Sequence, residues 1–294
     1  MTEVGLDAPS EEGPLAIICA GGSLPFAVAD LVERRGRRAV LFALRGWVDP
    51  NRIASYRHHW IAIGQLGRFR RLARQEGCRE LVFIGSFIRP TLRQIRLDLD
   101  TLRVLPKVIA SFRGGDDHLL KGVAKIVEDY GFRFIGPHEV APEILVPEGA
   151  LGHGHPSERD QTDIAHGLAL LQATGGFDVG QAVIVAGKHV LAVEAAEGTD
   201  SMLERIAVLR RHGRISLRDK VGVLVKAPKQ GQDRRFDLPS IGPQTIEGVA
   251  RAGLAGVAAV AGGTIIAEPD RVAQAADRAR LFVVGVPALS GDRL

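Results

Sequence analysis

The chain has 294 residues, 46% of them apolar and 24% charged, with 35 glycines and a formal net charge of +4. That length and apolar content suffice for about two domains with sizeable cores, and they exclude a disordered chain, a collagen-like repeat and a disulfide-stapled miniprotein. The uncharged stretch Ala252–Ala267, 16 residues with four glycines, falls short of the ~20 apolar residues that a bilayer helix needs.

Residues 1–14 are acidic and carry Gly and Pro. They lack the basic segment and apolar run of a signal peptide, so a loose tail and a cytoplasmic protein are expected. Leu15–Cys19 predicts a first strand that ends in Gly21-Gly22, and an amphipathic helix follows from Leu24 to Arg35. Ala39–Ala43 predicts a second strand. Trp60–Ile63 predicts a third after a polar turn, with helical spacing over Gln65–Glu76. Leu81–Ile84 is a fourth, helices are expected around Leu102–Phe112 and Asp117–Tyr130, and Phe132–Ile135 is a fifth strand. Strands alternating with helices of this length imply a parallel sheet covered on both faces. Residues 15–136 therefore read as a Rossmann-like α/β domain. Residues 137–156 hold Pro137, Pro142, Pro147 and Pro156 and no periodicity, which predicts a linker.

Residues 157–294 read as a mixed α/β domain of unassigned topology. Asp160–Ala173, Asp200–Arg211, Gln244–Ala252 and Asp270–Arg280 have helical spacing. Ala182–Ala186 and Val190–Ala195 flank Gly187-Lys188-His189 as in a hairpin. Further strands are expected at Val221–Val225, Gly256–Val260, Thr264–Ala267 and Leu281–Val286. The charge is uneven: residues 1–136 carry 21 Lys+Arg against 15 Asp+Glu, and the remainder 17 against 19. The arginine excess fits solvated helix faces, or attraction to an anionic ligand or membrane leaflet. Aromatics are 5% and no basic run is interleaved with stacking residues, which argues against nucleic acid. Cys19 and Cys78 sit in apolar runs and read as buried free thiols with no paired base. The histidines show no metal-ligand spacing, so no zinc site is expected.

Four segments carry candidate chemistry, each with a plain structural alternative. In Ala20-Gly21-Gly22-Ser23-Leu24-Pro25, glycines after a strand let backbone approach a phosphate, and helix amides stabilise its charge. Ser23 is a natural N-cap, and Pro25 fits a first turn. The spacing matches neither the dinucleotide fingerprint nor Walker A, and the alternative is a tight turn with no ligand. Ile84-Gly85-Ser86, with Arg89-Pro90 beyond, would lie beside that turn if strands one and four are neighbours. In Glu194–Asp200, Thr199 or Asp200 can cap a helix, or the three carboxylates Glu194, Glu197 and Asp200 can hold Mg²⁺. The loop Val225–Gly242 places Lys226, Lys229, Asp233, Arg234, Arg235 and Asp237 among the apolar anchors Phe236, Leu238 and Ile241. Cations there can stabilise phosphate charge and a carboxylate can hold a metal or orient water. A structural ion-paired loop is its alternative.

Taken together, Ile17–Pro25, Glu197–Asp200, Lys226-Ala227-Pro228-Lys229, Phe236–Gly242 and Arg251–Gly256 resemble the LpxI-type UDP-2,3-diacylglucosamine pyrophosphatases of lipid A biosynthesis, over about Leu15 to Val286. The resemblance implies a Mg²⁺-dependent hydrolase that cleaves UDP-2,3-diacylglucosamine to UMP and 2,3-diacylglucosamine 1-phosphate, with water attacking the β-phosphorus. It implies a homodimer and a lipid substrate held between the Rossmann-like and C-terminal domains. The family's essential aspartate falls on Asp237, as metal ligand or water-positioning group, with Lys226 and Lys229 as catalytic cations. Gly21, Gly22, Ser23, Leu24, Ser86, Thr199 and Asp200 are the expected substrate-binding positions. Family members often carry Asn where this chain has Ser86. The residues alone leave two rivals, a nucleotide-dependent oxidoreductase and a non-catalytic nucleotide-sugar lipid-binding protein.

Overall fold

The computed structural model describes residues 13–86, 94–111, 116–177, 179–215, 220–229, 231 and 233–289. The tail up to residue 12, Arg89, Pro90, Gln230 and Gln232 lie outside the described residues. The chain forms two compact units. One comprises the chain up to Pro142 together with Asp233–Asp237; the other comprises Glu143–Gln232 and Leu238–Leu294.

The first unit holds a five-stranded parallel sheet. Its strands are β1 (Leu15–Cys19), β2 (Ala39–Leu44), β3 (His58–Ile61), β4 (Glu80–Ile84) and β5 (Arg133–Phe134), in the order β3-β2-β1-β4-β5. Helices α1 (Leu24–Arg34), α2 (Pro50–Ile53), α3 (Leu66–Gln75), α4 (Leu99–Ser111), α5 (Asp116–Asp129) and α6 (Pro137–Val140) connect and flank them. Every residue of β2 is buried, as a parallel strand covered on both faces requires. The expected Rossmann-like parallel sheet is present. The strand order reverses between β1 and β4, which defines a switch point at their carboxyl ends. The polar turn expected before β3 contains α2, nucleated by Asp49, whose side chain accepts from Asn51 N, and by Pro50 in the first turn.

At the opposite end of this sheet, arginines are consumed internally. Buried Glu80 accepts from Arg37 Nη2 at 2.7 Å and also pairs with Arg133. Glu76 accepts from Arg57 Nη2 at 2.8 Å and pairs with His59 Nε2 at 2.6 Å. Both cysteines are buried free thiols. Burial pushes both thiols up, Cys78 to about 11, so neither is poised as a thiolate.

The second unit begins within the proline-rich stretch. A 3-10 turn at Pro142–Ile144 is followed by β6 (Gly149–Ala150). The remaining elements are α7 (Glu158–Thr174), β7 (Ala182–Ala186), β8 (His189–Val193), α8 (Gly198–Arg211), β9 (Val223–Lys226), β10 (Ser240–Ile241), α9 (Pro243–Arg251), β11 (Gly256–Val260), β12 (Ile265–Ile266), α10 (Pro269–Ala279) and β13 (Phe282–Val286). The main sheet runs β6-β13-β11-β9-β7-β8. Strands β13, β11 and β9 are parallel, whereas β6, β7 and β8 pair antiparallel with their neighbours, so this unit is mixed α/β. Strands β10 and β12 form a separate parallel pair.

Helix α7 opens on a capping box in which Ser157 and Asp160 satisfy each other's backbone N–H. Its Gly167 lets the helix lie on the sheet, since a Cβ there would meet Val225 Cγ2 at 2.7 Å. Buried Asp163 accepts from Gly187 N at 2.8 Å and Lys188 N at 2.6 Å, which fixes the β7–β8 turn. Among the described residues no helix is long and apolar enough to cross a membrane.

Candidate active site

In the first unit, the candidate positions meet at the carboxyl ends of β1 and β4. These strands are neighbours, in register from Leu15 opposite Glu80 to Cys19 opposite Ile84. Just beyond them, Gly21 N donates to Ser86 O at 2.9 Å and Ser86 N donates to Gly21 O at 2.7 Å. Gly21 and Ser86 therefore form one backbone-bonded rim, with Gly22 next to it in the chain. Gly85 is required there: its φ is +119°, and a Cβ would lie 2.6 Å from Gly21 O. The rim opens onto the first turn of α1, which carries Leu24 and Pro25 and no acidic residue. Free amides of such a turn suit an anion.

The structure corrects the capping role expected of Ser23. It stands at the N-cap position, but its backbone is already helical (φ −92°, ψ −22°) and its side chain makes no capping bond. A helical N-cap backbone turns the side chain away from the first-turn amides.

In the second unit, Lys226 is the last residue of β9 and is only 6% exposed. Its register partners are Ala182 on β7 and Ala259 on β11, whose small side chains leave room for the lysine stem. Its ammonium donates to Thr199 Oγ1 at 2.9 Å and to Ser240 O at 3.0 Å. The Thr199 hydroxyl in turn donates to Glu194 Oε1 at 2.7 Å, and Glu194 Oε2 accepts from Gln181 N at 2.8 Å. Burial draws the ammonium's pKa below its ordinary value, while Glu194 and Asp200 pull it upward.

The helix after Glu194 starts earlier than expected. Glu197 holds the N-cap position of α8 without a side-chain capping bond. Thr199 and Asp200 therefore sit inside the first turn, and neither caps it. Gly198, at φ +77°, supplies the left-handed entry that brings the helix in sooner. The three carboxylates of this segment also serve different partners: Glu194 faces Thr199 and Gln181, Glu197 pairs with Arg205, and Asp200 acts on Lys226. Among the described residues no group of three or more His, Cys, Asp or Glu gathers as a metal cage.

Beyond Lys229 the chain enters the first unit as the segment Asp233–Asp237. Asp233 is committed to Arg235: its Oδ1 and Oδ2 accept from Arg235 Nε and Nη2 at 3.0 and 2.8 Å. Arg235 also donates to Glu128 Oε1 at 3.0 Å, and these carboxylates hold its guanidinium well above the usual range. Phe236 packs on Phe134 with ring centroids 4.4 Å apart. Asp237 follows this clasp directly, half-buried, its N–H donating to Asp233 O. The apolar anchor predicted at Phe236 is thus a real contact, and the charges around it partly serve to hold the segment.

Sequence reasoning named Lys226, Thr199 and Asp200 but missed Gln181 and Ser240, which act through backbone atoms and leave no residue-type signal. Glu194 was visible only as one of three carboxylates. A lone lysine closing a buried apolar strand was the cue that some acidic partner had to lie near.

Fold and site define a class: a two-unit α/β protein with a doubly wound parallel sheet, whose second, mixed sheet ends in a buried, hydrogen-bonded lysine. The LpxI N-terminal domain model matches residues 14–144, and the LpxI C-terminal domain model matches residues 147–284. UDP-2,3-diacylglucosamine pyrophosphatase LpxI of Caulobacter vibrioides is 40% identical over 272 residues, covering 92% of this chain and 97% of that protein. The chain belongs to the LpxI family.

Proposed function

We propose that this chain is a hydrolase that cleaves the diphosphate of UDP-2,3-diacylglucosamine in lipid A synthesis, releasing UMP and 2,3-diacylglucosamine 1-phosphate. The observation that carries the reading is the 40% identity, along nearly the whole of both chains, to a relative named for that activity. Lys226 supports it from the geometry. A buried ammonium with two donors already placed is a preorganised partner for phosphate charge.

In this reading water attacks the β-phosphorus, the bridging P–O bond breaks, and UMP leaves with the bridging oxygen. Lys226 and Lys229 stabilise charge on the diphosphate. Asp237 orients the water or holds Mg²⁺; its rival Asp233 is spent on Arg235. Gly21, Gly22, Ser23, Leu24 and Ser86 offer backbone and hydroxyl donors to the nucleotide, and Thr199 and Asp200 border Lys226.

Mg²⁺ of the shared kind needs only one or two protein carboxylates, completed by phosphate oxygens and water, and in this reading Asp237 supplies one of them. When bound, Mg²⁺ supplies neutralisation of the diphosphate charge and polarisation of its oxygens. The reading extends to a cytoplasmic homodimer that meets an anionic inner leaflet peripherally through its arginine excess; salt-sensitive binding to anionic vesicles tests that part.

The deciding experiment is UMP release from UDP-2,3-diacylglucosamine with Mg²⁺ and with chelator. Release that depends on Mg²⁺ is expected. Binding of the lipid without release of UMP overturns the enzymatic reading, and equal release in chelator overturns the metal.

A further inference from the structure

Lys226 reaches the Glu194 carboxylate through one intervening hydroxyl. Thr199 Oγ1 accepts from the ammonium at 2.9 Å and donates its only proton to Glu194 Oε1 at 2.7 Å. That proton can point one way only, since a protonated amine has no lone pair to receive it. The other oxygen of Glu194 is tied to Gln181 N at 2.8 Å, so the carboxylate cannot swing away. Ser240 O takes a second ammonium donor at 3.0 Å, and the pairing of β10 with β12 fixes that carbonyl. Two of the three ammonium donors are thereby placed, and the direction of the third follows from tetrahedral geometry.

We propose that Glu194 is a positioning residue: through the Thr199 hydroxyl it keeps the Lys226 ammonium protonated and fixed in direction. The role in turnover that this serves rests on the reading of Lys226 given above. A buried lysine left alone tends to lose its proton, because the charged form is the costly one in an apolar setting. The charged groups acting on this ammonium are Glu194, just past β8, and Asp200, in the first turn of α8. The flanking strands β7 and β11 present Ala182 and Ala259 in register, and α7 packs on the other face of the sheet against Val223 and Val225. Glu194 is the carboxylate joined to the lysine by a continuous hydrogen-bond path, so its charge and its geometry act together.

The test follows the Lys226 13Cε resonance with pH, assigned by its loss in Lys226→Arg, alongside the pH profile of UMP release. Glu194→Gln keeps the shape and removes the charge. It is expected to move the Lys226 midpoint to lower pH, to move the alkaline limb of turnover with it, and to lower kcat roughly tenfold or more, the worth of a charge-assisted hydrogen bond. Thr199→Val should move the midpoint the same way, and Thr199→Ser, which restores the hydroxyl, should bring it back. A midpoint unmoved in both Glu194→Gln and Thr199→Val overturns the proposal. A midpoint that moves while the alkaline limb stays put upholds the positioning and instead removes Lys226 from the chemistry proposed above.

Discussion

The carboxyl ends of β1 and β4 in the first sheet and of β9 in the second are built in different ways. In the first unit the rim is backbone: Gly21 and Ser86 exchange N–H···O bonds, and Gly85 is there because no side chain fits. In the second unit the same kind of edge is built from side chains, with Lys226, Thr199 and Glu194 in series. A backbone rim tolerates many side chains around it and depends on a few glycines. A side-chain relay around a buried lysine depends on every member, because losing the hydroxyl or the carboxylate leaves the buried ammonium under-paired. The two edges should therefore respond to mutation through different observables.

Asp237→Ala gives the largest expected effect. It should lower UMP release by roughly a hundredfold or more while the lipid substrate still binds, as measured by isothermal titration. Asp233→Asn is its control. It leaves Arg235 with Glu128 as its remaining carboxylate partner and should lower the melting temperature with a much smaller loss of turnover. Near-normal rates in Asp237→Ala would remove that residue from the chemistry.

Lys226→Met comes next and tests the relay edge. It removes the buried cation and leaves the half-buried Thr199–Glu194 pair without it. A stability loss of roughly 2–4 kcal/mol is expected together with the loss of activity, read by denaturant unfolding and by turnover at saturating substrate. If stability falls while turnover is kept, the buried lysine serves only the fold.

Gly85→Ala tests the backbone edge. The added Cβ would lie 2.6 Å from Gly21 O at a φ of +119°, so strain of about 1–3 kcal/mol is expected. The rim would open, raising KM more than it lowers kcat. Gly176, where a Cβ meets nothing within 4 Å, is the neutral comparison. Equal melting temperatures for Gly85→Ala and Gly176→Ala would show that the rim yields freely.

This difference in construction also decided what could be read from the sequence. The Gly21-Gly22 turn, β1 exactly as Leu15–Cys19 and the parallel first sheet were legible, because apolar runs and glycines are local signals. In the second unit β7 and β11 were legible with their bounds, but the strand order was not, since it mixes parallel and antiparallel pairs between distant segments. The prolines of 137–156 hid α6 and β6: Pro137 starts a helix, and a two-residue strand carries no period. Capping roles for Ser23, Thr199 and Asp200 failed in two ways: Ser23 stands at the N-cap with a helical backbone, and Thr199 and Asp200 lie inside the first turn of a helix that starts at Gly198. The residue type favours a cap, but the backbone angle decides whether the side chain can reach. Glu194 stayed hidden because its partner lies 32 residues on, joined only by folding.

The amino-terminal side of the first sheet sharpens the contrast, since its ion pairs should serve stability alone. Arg57 chiefly, and His59 after it, hold the Glu76 carboxyl below its ordinary value, against the opposing pull of burial. A carboxylate depressed in the folded state contributes stability that is present above its unfolded pKa and is lost as pH falls through the folded one. Glu76→Gln should therefore lower stability by about 1 kcal/mol near neutral pH, and the gap to the parent should close as the medium is acidified below the ordinary carboxylate range. Turnover at neutral pH should stay at the parent level, since Glu76 lies at the end of α3, away from the β1–β4 rim. Chemical denaturation at a series of pH values, with UMP release measured on the same samples, separates the two: a gap that stays constant with pH would mean that the Arg57 and His59 contacts do not stabilise the ionised carboxyl.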